Sequence, residues 1–477
     1  MSIELDKKVR SVFGTLAMNK QRLPSSGLSK LGVPAYVAEW ILEEVVPGDG
    51  VLTAQELETL GSFTTQMIPR KNEENVYKNR LLTRETVSIL DKVSVEVVIN
   101  RNKEDRLAKV PALGFNDCLI ADAIIEENEN LLKQGIWGIV DLAAAKEGGI
   151  QIVGFEPMQA SVNLAAFREK RREFSGDEWR ELMLISCGYN PAAYNIGEQI
   201  WILSRLLPLV QKNLHLMELA PKGTGKSFIY QNISPRVYIV AGNLSPAVLF
   251  YNNRTGQPGL LARYDVLVLD EIQYIKFDQP ENIVSNLKTY LENGRITRGG
   301  LADIPSDCGM VLLANISLDR DQKPLHDLVI SELPRFMHET AFLDRFRGII
   351  PGWKIPKFSE KCIATSVGLK ADFFSDTLTA MRHETTYDEW VKNRIEFVSK
   401  MHIRDQRAII ANAAGMLKIL YPDLRVSREA FYNFCVLPAV EMRQIVNNQL
   451  WQLDEEYHQF DKELKVELVE ASHFEVA

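Results

Sequence analysis

A short glycine-containing loop with a lysine and a serine is the strongest chemical signal in this sequence. It follows the apolar segment 214–219 and precedes a helical pattern. Glycines let backbone N–H groups turn inward around phosphate oxygens, while Lys226 would reach the β- and γ-phosphates of a nucleotide and Ser227 would ligate Mg²⁺. The strict form of this motif has glycine at position 220, where this chain has the small residue alanine, a departure that we expect the loop to tolerate. The residues predicted to bind nucleotide are Pro221, Lys222, Gly223, Thr224, Gly225, Lys226, Ser227 and Phe228.

Two adjacent carboxylates form the second signal. The apolar segment 266–269 ends in Asp270 and Glu271, and Asp270 lies 44 residues after Lys226. One carboxylate can hold a metal shell while the next polarises the attacking water, so we assign Asp270, with Ser227, to the metal and Glu271 to the water. The alternative is a buried strand that ends in a solvated turn.

Two later features could complete such a site. The apolar segment 309–314 ends in Asn315, whose amide could position water between the γ-phosphate and Glu271. Arg345 and Arg347 follow further along the chain, and arginines near a subunit boundary can complete a neighbour's site. On spacing alone, an ordinary surface pair of arginines is an equal alternative.

The composition limits the class of protein. The 477 residues exceed one ordinary core, and 46% hydrophobic with 25% charged residues is typical of a globular chain. A net charge of −8 excludes a globally basic nucleic-acid coat but allows a local basic patch. The five cysteines are far apart, which favours reduced thiols, and the histidines lack metal-ligand spacing. With no apolar run long enough to span a bilayer and no secretory pattern at the start, we expect a cytoplasmic protein with no membrane partner.

The elements that must position these residues read as a multidomain α/β protein. Between residues 214 and 349, apolar strands alternate with helical stretches, which is typical of a buried parallel sheet. Residues 85–160 read as a small β-rich module that could be a barrel, and residues 390–460 are mostly helical. The predicted domains are 1–84, an N-terminal helical region; 85–174, the β-rich module with a charged linker; 175–360, the α/β ATPase core; and 361–477, a helical lid and C-terminal region with an acidic tail.

Over roughly residues 180–425 these motifs resemble the AAA+ ATPases. Residues 220–227 resemble Walker A, residues 267–271 Walker B, residues 312–315 sensor 1 and residues 343–347 the arginine-finger region. The resemblance implies an AAA+ P-loop core that binds ATP and Mg²⁺ and hydrolyses ATP.

The same resemblance assigns roles to the remaining residues. It implies that Glu271, Asn315 and Arg345 are catalytic, with Arg345 acting on a neighbouring subunit and Arg347 as the alternative finger. Residues 403–410 resemble a sensor 2 helix, whose arginine contacts the γ-phosphate of its own subunit. Arg407 is assigned to that contact, with Arg404 as the alternative.

Four segments together resemble, more narrowly, the BrxL family of Lon-related proteins from BREX phage-defence systems; they are residues 174–191, 218–227, 265–273 and 342–348. This resemblance runs from about residue 1 to 450. It implies a ring-shaped homo-oligomer that binds double-stranded DNA and works with other BREX components, with an arrangement similar to the minichromosome-maintenance helicases. A hexamer is the expected ring, and stacked rings are left open. The family often carries a C-terminal Lon-like protease domain with a serine–lysine dyad, but the last 27 residues are acidic and offer no plausible serine–lysine constellation, so we expect ATP hydrolysis without proteolysis.

Three places combine the residues that a DNA-contacting turn needs. Arg254 lies in the insertion 251–259, and Arg295 and Arg298 lie in the insertion 293–300; both insertions carry glycine, as a hairpin tip requires. In the resembled helicases, hairpins at these places face the central pore. A basic turn with Arg101 and Lys103 lies in the β-rich module. The alternative in each case is a solvated surface loop.

Three functions therefore compete. The first is an ATP-driven oligomeric motor that binds duplex DNA in BREX-type defence. The second is a Lon-type protein unfoldase, whose pore loops usually present aromatic and hydrophobic residues rather than the arginine, asparagine and glycine found here. The third is an ATP-gated scaffold that binds DNA and recruits partners.

Overall fold

A computed structural model describes residues 3–70, 73–83, 85–100, 103–146, 148–158, 162–254, 256–297 and 303–470, without the side chains of residues 99, 100, 103 and 104. Its α-helices are α1 Ile3–Phe13, α2 Arg22–Ser25, α3 Ala35–Val45, α4 Ala54–Met67, α5 Glu74–Leu82, α6 Asp122–Glu127, α7 Leu164–Arg171, α8 Gly176–Ser186, α9 Ile196–Ser204, α10 Leu207–Val210, α11 Lys226–Asn232, α12 Pro246–Leu249, α13 Leu260–Arg263, α14 Pro280–Asn293, α15 Thr340–Leu343, α16 Ala371–Ala380, α17 Thr386–Lys392, α18 Ile403–Leu420, α19 Arg428–Phe431 and α20 Leu437–Leu453. Its strands are β1 Ala17–Asn19, β2 Val87–Asn100, β3 Lys103–Val110, β4 Phe115–Ile120, β5 Ile136–Ala144, β6 Ile150–Pro157, β7 Leu216–Ala220, β8 Val237–Val240, β9 Asn243–Leu244, β10 Tyr251–Asn252, β11 Gln257–Pro258, β12 Val266–Leu269, β13 Lys276–Phe277, β14 Arg295–Ile296, β15 Ile304–Pro305, β16 Gly309–Asn315, β17 Gly348–Pro351, β18 Val367–Leu369, β19 Ile395–Phe397 and β20 Val466–Leu468.

Five parallel strands form the central sheet, in the order β17-β7-β16-β12-β8. Every residue of β7, β12 and β17 is buried, as are all but the last of β16. Such continuous apolar strands need cover on both faces, which is why the sequence alternates strands with helices. The predicted mixed α/β structure with a parallel sheet is confirmed. Because parallel strands run the same way, the loops after β7, β12 and β16 meet at one edge of the sheet.

The C-terminal helices pack beside this sheet. The α18 side chain of Asn412 donates a hydrogen bond to the Arg347 carbonyl just before β17. A Cβ placed on Gly348 would come within 2.7 Å of the Cβ of Met442 on α20, so glycine permits the close approach of that helix to β17. The N-terminal α1 belongs to the same body, since Phe13 packs against Phe167, Phe174 and Trp179.

A closed five-stranded barrel is the core of a second body, with strand order β2-β3-β4-β6-β5. Neighbouring strands are antiparallel except for β4 and β6, which are parallel. The inward side chains alternate along each strand and are mostly apolar, for example Val93, Val95, Val140 and Leu142, with the buried carboxyl group of Asp91 among them. This is a Greek-key barrel of the OB type, so the predicted barrel-like β module is confirmed.

The contacts divide the chain into two compact units. Residues 1–20 and 161–477 form one, and residues 21–160 form the other. The four predicted domains remain a prediction.

Candidate active site

The loop after β7 is shaped by two glycines. Gly223 has φ +84° and Gly225 has φ +71°, both in the left-handed region that glycine adopts without a steric cost. Gly225 ends the loop, and α11 begins at Lys226. The loop therefore has the strand–loop–helix context that the sequence predicted for a phosphate-binding turn.

Lys226 is held at the carboxyl edge of the sheet. Its Nζ donates to Asn315 Oδ1 at 2.8 Å and to the Pro221 carbonyl at 3.2 Å. Asn315 reaches it because β16 lies beside β7 with Asn315 opposite Ala220. Burial lowers the pKa of Lys226. The structure thus brings together the two residues predicted to contact and sense the γ-phosphate.

Ser227 and Asp270 meet at the same edge. The Ser227 hydroxyl donates to Asp270 Oδ2 at 2.6 Å. A hydroxyl and a carboxylate are the hard oxygen ligands that Mg²⁺ takes beside phosphate, so these two residues fit the predicted metal role. Of the described residues, no group of three or more histidines, cysteines and carboxylates could hold a metal ion by itself.

Glu271 follows Asp270 in an unusual backbone conformation. Its φ is +50°, and its N–H donates to Asp270 Oδ1 at 3.0 Å. Its side chain is exposed, and among the described residues no hydrogen bond engages its carboxylate. The side chain of Gln273, two residues further, donates to the Asn315 carbonyl at 2.5 Å and so ties this loop to the end of β16.

The predicted arginines lie at the opposite edge of the sheet. Arg347 directly precedes β17, its N–H donates to the His215 carbonyl at 2.8 Å, and β17 runs parallel to β7. The five residues of β7 span roughly 16 Å between this edge and the phosphate loop. The structure therefore does not bring Arg345 or Arg347 to Lys226 of the same chain.

Arg404 and Arg407, at the start of α18, join this arginine group. Arg404 pairs with Asp344 at 2.7 Å and with Glu292 at 2.8 Å, and Arg345 Nε lies 3.2 Å from the same Glu292 carboxylate. The expected contact of Arg407 with its own γ-phosphate does not fit this position, since α18 begins at the amino edge of the sheet.

Arg347 and Arg407 differ from the other arginines of this group. Arg407 is exposed, and no hydrogen bond or ion pair engages either guanidinium among the described residues. The pKa of Arg347 is lowered, first by burial and then by the charges of Arg443 and Arg407. Within the described residues, these two cations lack the direct ion pair that Arg345 and Arg404 make, although the charge of Glu292 also acts on Arg347.

A buried ion pair behind the phosphate loop was missed by the sequence analysis. Arg205, just after α9, makes a bidentate pair with Glu218 on β7, with contacts of 2.7 and 3.0 Å, and both side chains are completely buried. The signal was present, because a glutamate inside a buried strand and an arginine inside the apolar segment 200–210 each require a partner. Their pairing depends on the fold and cannot be read from spacing.

The structure forms a hairpin at both predicted DNA-facing insertions. Strands β10 and β11 carry Arg254, which is exposed, in their connecting turn. Strands β14 and β15 form the second hairpin, where Arg295 pairs with Asp303. Arg298 lies outside the described residues.

The barrel offers few described cations. Arg101 and the Lys103 side chain lie outside the described residues. On the outer face of the barrel, Lys109 is already paired with Glu96 at 2.7 Å, and Arg106 is paired with Asp122 at 2.6 Å. A phosphate backbone would therefore meet neutralised side chains on the described part of this face.

No helix within the described ranges is long and apolar enough to cross a bilayer. The five cysteines are buried and unbridged.

Two family models match the chain. "Lon-like protease BrxL-like, ATPase domain" matches residues 150–463, and "BREX system Lon protease-like protein BrxL N-terminal" matches residues 11–143.

Curated proteins named "Lon-like protease BrxL" are similar over most of the chain. The one from Escherichia coli is 29% identical over 88% of this chain and 61% of its own length, and the one from Bacillus cereus is 29% identical over 82% and 59%. An uncharacterised protein of Acidianus filamentous virus 1 is 26% identical over 47% of this chain and 59% of its own length. The chain thus spans about three fifths of the curated relatives that it matches.

A solved full-length MCM homologue from Methanopyrus kandleri covers 91% of this chain and 100% of its own, at 13% identity and a TM-score of 0.36.

Proposed function

The chain belongs to the BrxL family, and on this premise we propose that it is an ATP-driven AAA+ motor that assembles into a ring and binds double-stranded DNA in BREX-type phage defence. One observation carries the ATPase part. At one edge of the sheet, Lys226 Nζ donates a hydrogen bond to Asn315 Oδ1 at 2.8 Å, and the Ser227 hydroxyl donates one to Asp270 Oδ2 at 2.6 Å. A cation for phosphate, an amide to sense it and an oxygen pair for Mg²⁺ are the parts that phosphoryl transfer requires.

The chain's own residues divide the work of hydrolysis. Lys226 stabilises charge on the β- and γ-phosphates. Asn315 can donate from its amide Nδ2 to the phosphate, and its Oδ1, which accepts from Lys226 in the structure, can accept from the attacking water instead. Glu271, with its free and exposed carboxylate, orients that water and accepts its proton. Mg²⁺, when bound, neutralises phosphate charge beside Ser227 and Asp270.

The position of the arginines supports a ring. Each subunit carries the phosphate loop at one edge of its sheet and the arginine group at the other, so a head-to-tail contact brings one subunit's arginines to the next subunit's nucleotide. Arg347 and Arg407 suit this role better than Arg345, because Glu292 and Asp344 already neutralise Arg345 and Arg404. We therefore take Arg347 as the leading finger, and Arg407 as a contact made in the neighbouring subunit.

Two exposed hairpins support nucleic acid as the substrate. Arg254 stands in one turn and the Arg295–Asp303 pair in the other hairpin. In sequence, neither insertion, 251–259 or 293–300, contains the adjacent aromatic and hydrophobic residues with which unfoldase pore loops usually grip a polypeptide. An OB-type barrel is also a common nucleic-acid scaffold. Because the curated relatives are longer than this chain, their proteolytic name carries no activity over to it.

The test compares Lys226→Ala and Glu271→Gln with the wild-type protein. Lys226→Ala should abolish ATP binding, whereas Glu271→Gln should keep ATP affinity and lose at least about a hundredfold in turnover, since only the proton acceptor changes. Duplex affinity is then titrated against salt with and without ATP. Binding that depends on both salt and ATP supports the motor, absence of duplex binding favours an unfoldase, and duplex binding without turnover favours a scaffold. Wild-type turnover by Glu271→Gln would refute the assignment of Glu271.

A further inference from the structure

Arg205 contacts the phosphate loop from its buried side. Besides its pair with Glu218, it donates through Nη2 to the Thr224 carbonyl at 3.3 Å and through Nη1 to the Gly225 carbonyl at 3.4 Å. Nη1 also donates to the Tyr189 hydroxyl at 3.1 Å, and that hydroxyl in turn donates to the Gly225 carbonyl at 3.3 Å. Two consecutive carbonyls of the loop are thus bound by one side chain and its neighbour.

A third carbonyl is fixed by another segment. The N–H of Phe358 donates to the Gly223 carbonyl at 2.8 Å, and the Phe358 ring would lie 3.1 Å from a Cβ on Gly225. Three successive carbonyls, from Gly223 to Gly225, are therefore held by groups of the protein.

The geometry of the peptide unit determines where the N–H groups of the loop point. In a trans peptide the C=O and the N–H of the same unit point in opposite directions. The Thr224 carbonyl shares its peptide with the Gly225 N–H, and the Gly225 carbonyl shares its peptide with the Lys226 N–H. Holding both carbonyls on the buried side directs both N–H groups to the opposite side of the loop, where a phosphate would bind.

We propose that Arg205, clamped by Glu218 and assisted by Tyr189, is a positioning group that fixes the N–H donors of Gly225 and Lys226 for the β-phosphate of the nucleotide. This inference rests on the proposed ATPase function. Arg205 touches no substrate; it acts only through the backbone of the loop.

Electrostatics explain why an arginine–glutamate pair, and not a single charged residue, holds the phosphate loop. A lone arginine in this place would add a buried charge beside Lys226, and a lone glutamate would repel phosphate, but the pair is nearly neutral. Burial is the largest single influence on Arg205 and opposes its charge, but the Glu218 carboxylate together with Tyr189 and Tyr230 outweighs burial and raises the pKa of Arg205 above its ordinary value. Burial raises the pKa of Tyr189 to about 12, so its hydroxyl keeps the proton that it donates to Gly225.

Arg205→Lys is the main test. Lysine keeps the charge pair with Glu218 but lacks the planar fork that reaches several acceptors at once. We expect KM for ATP, and the dissociation constants of ATP and ADP, to rise at least about tenfold, while kcat at saturating ATP changes less than about threefold. An unchanged KM, or a loss confined to kcat, would overturn the proposal.

A second variant tests the proposal if Arg205→Lys fails to fold. In Arg205→Met with Glu218→Leu the buried charges are removed together, a change that folded proteins often tolerate. If it unfolds at the wild-type temperature and still binds ATP and ADP as tightly as wild type, the positioning role is refuted. A tenfold loss of both affinities supports it.

Tyr189→Phe and Lys226→Ala complete the set. Tyr189→Phe removes one donor to the Gly225 carbonyl and should raise KM about twofold to fivefold. Lys226→Ala distinguishes a failure of the proposed ATP site from a failure of the positioning role of Arg205. If it binds ATP as well as wild type, the proposed ATP site itself fails; if it abolishes binding while both Arg205 variants bind normally, only the positioning role fails.

Discussion

Glu271 combines a strained backbone with an unpaired carboxylate at the position where hydrolysis needs one. Its φ of +50° places a non-glycine residue in the left-handed region, at a cost of about 1–2 kcal/mol. Glutamine at this position bears the same backbone cost, so Glu271→Gln changes the proton acceptor and leaves the strain in place. Strain of this kind is kept where function fixes the residue, which agrees with the role proposed for Glu271.

Asp91 makes the stability of the barrel depend on pH. It is 5% exposed, it accepts hydrogen bonds from the N–H groups of Lys92 and Ala112 at 2.7 Å, and burial raises its pKa from 3.8 to about 6. A raised carboxyl pKa means that ionisation costs more in the folded state, so stability should fall as pH rises from about 4 to about 6. The full cost above that range is about 3 kcal/mol. Hydrogen exchange of the β2 and β5 amides, corrected for intrinsic rates, measures it.

Two variants control this prediction. Asp91→Asn should flatten the dependence between pH 4 and 6, because the titrating group is gone. Glu156→Gln removes an exposed carboxylate from the same barrel and should leave the dependence unchanged. If wild-type protection is constant over this range, burial of Asp91 does not cost what its raised pKa indicates.

At the scale of elements, strand ends explain what the sequence could and could not predict. Asp270 directly follows β12, Asn315 ends β16, and Lys226 and Ser227 follow β7 after a five-residue loop. Apolar patterning reveals all three strands, and parallel strands must bring such ends together. The arginines were harder, because β17 has only four residues and was not recognised as a strand. Because β17 begins at Gly348, Arg345 and Arg347 lie at the amino edge of the sheet, opposite the phosphate loop. This position favours a contact with the nucleotide of a neighbouring subunit over a contact with the nucleotide of the same subunit.

Ala220 stands where the strict phosphate-loop motif has glycine, and a glycine of a neighbouring segment, Gly352, lies close to it. A Cβ placed on Gly352, just after β17, would come within 2.5 Å of the Ala220 Cβ and 3.0 Å of the Leu219 carbonyl. Gly352→Ala should therefore destabilise the protein by about 1–3 kcal/mol, and adding Ala220→Gly should recover part of that loss. Urea unfolding of the two single variants and the double variant measures the coupling.

The control is a glycine with free space. A Cβ on Gly61, inside α4, meets nothing within 4 Å, so Gly61→Ala should stabilise by about 0.5–1 kcal/mol. If the double variant at 220 and 352 shows no coupling, the two positions do not share the space that the structure indicates.

The two hairpins should contribute unequally to duplex binding. Arg254 is exposed, so Arg254→Ala should lower the salt slope of binding by about 1 unit on any duplex sequence. Arg295→Ala should do less, because Asp303 already neutralises that arginine. Asp303→Asn should tighten binding, since it removes an anion and frees Arg295.

Salt titrations of duplex affinity measure all three variants against Arg335→Ala, which removes an exposed arginine outside both hairpins. An equal effect of Arg335→Ala would show that only net charge matters, and would assign both hairpins to ordinary surface turns.

At the scale of the whole molecule, the proposed function makes one subunit an incomplete enzyme. Its phosphate loop lies at one edge of the sheet, and Arg347 and Arg407, which lack ion-pair partners among the described residues, lie at the opposite edge. In a repeated head-to-tail contact, the arginines of each subunit would complete the nucleotide site of the next, so that every site and every arginine group is used. Closure into a ring satisfies all subunits equally. ATP binding should then strengthen subunit contacts, because the nucleotide supplies the anion that Arg347 and Arg407 lack.

Mixing two inactive variants tests this sharing. Arg347→Ala subunits keep an intact phosphate loop, and Lys226→Ala subunits keep an intact arginine group, so neither homo-oligomer should hydrolyse ATP at more than about a thousandth of the wild-type rate. In a ring mixed one to one at random, an intact loop meets an intact neighbouring arginine at about one site in four, so about a quarter of the wild-type rate should return. Arg345→Ala in place of Arg347→Ala should give a smaller defect, because Glu292 already pairs with Arg345. No recovery at any mixing ratio, after exchange of subunits is verified by labelling, would show that the arginines do not act between subunits.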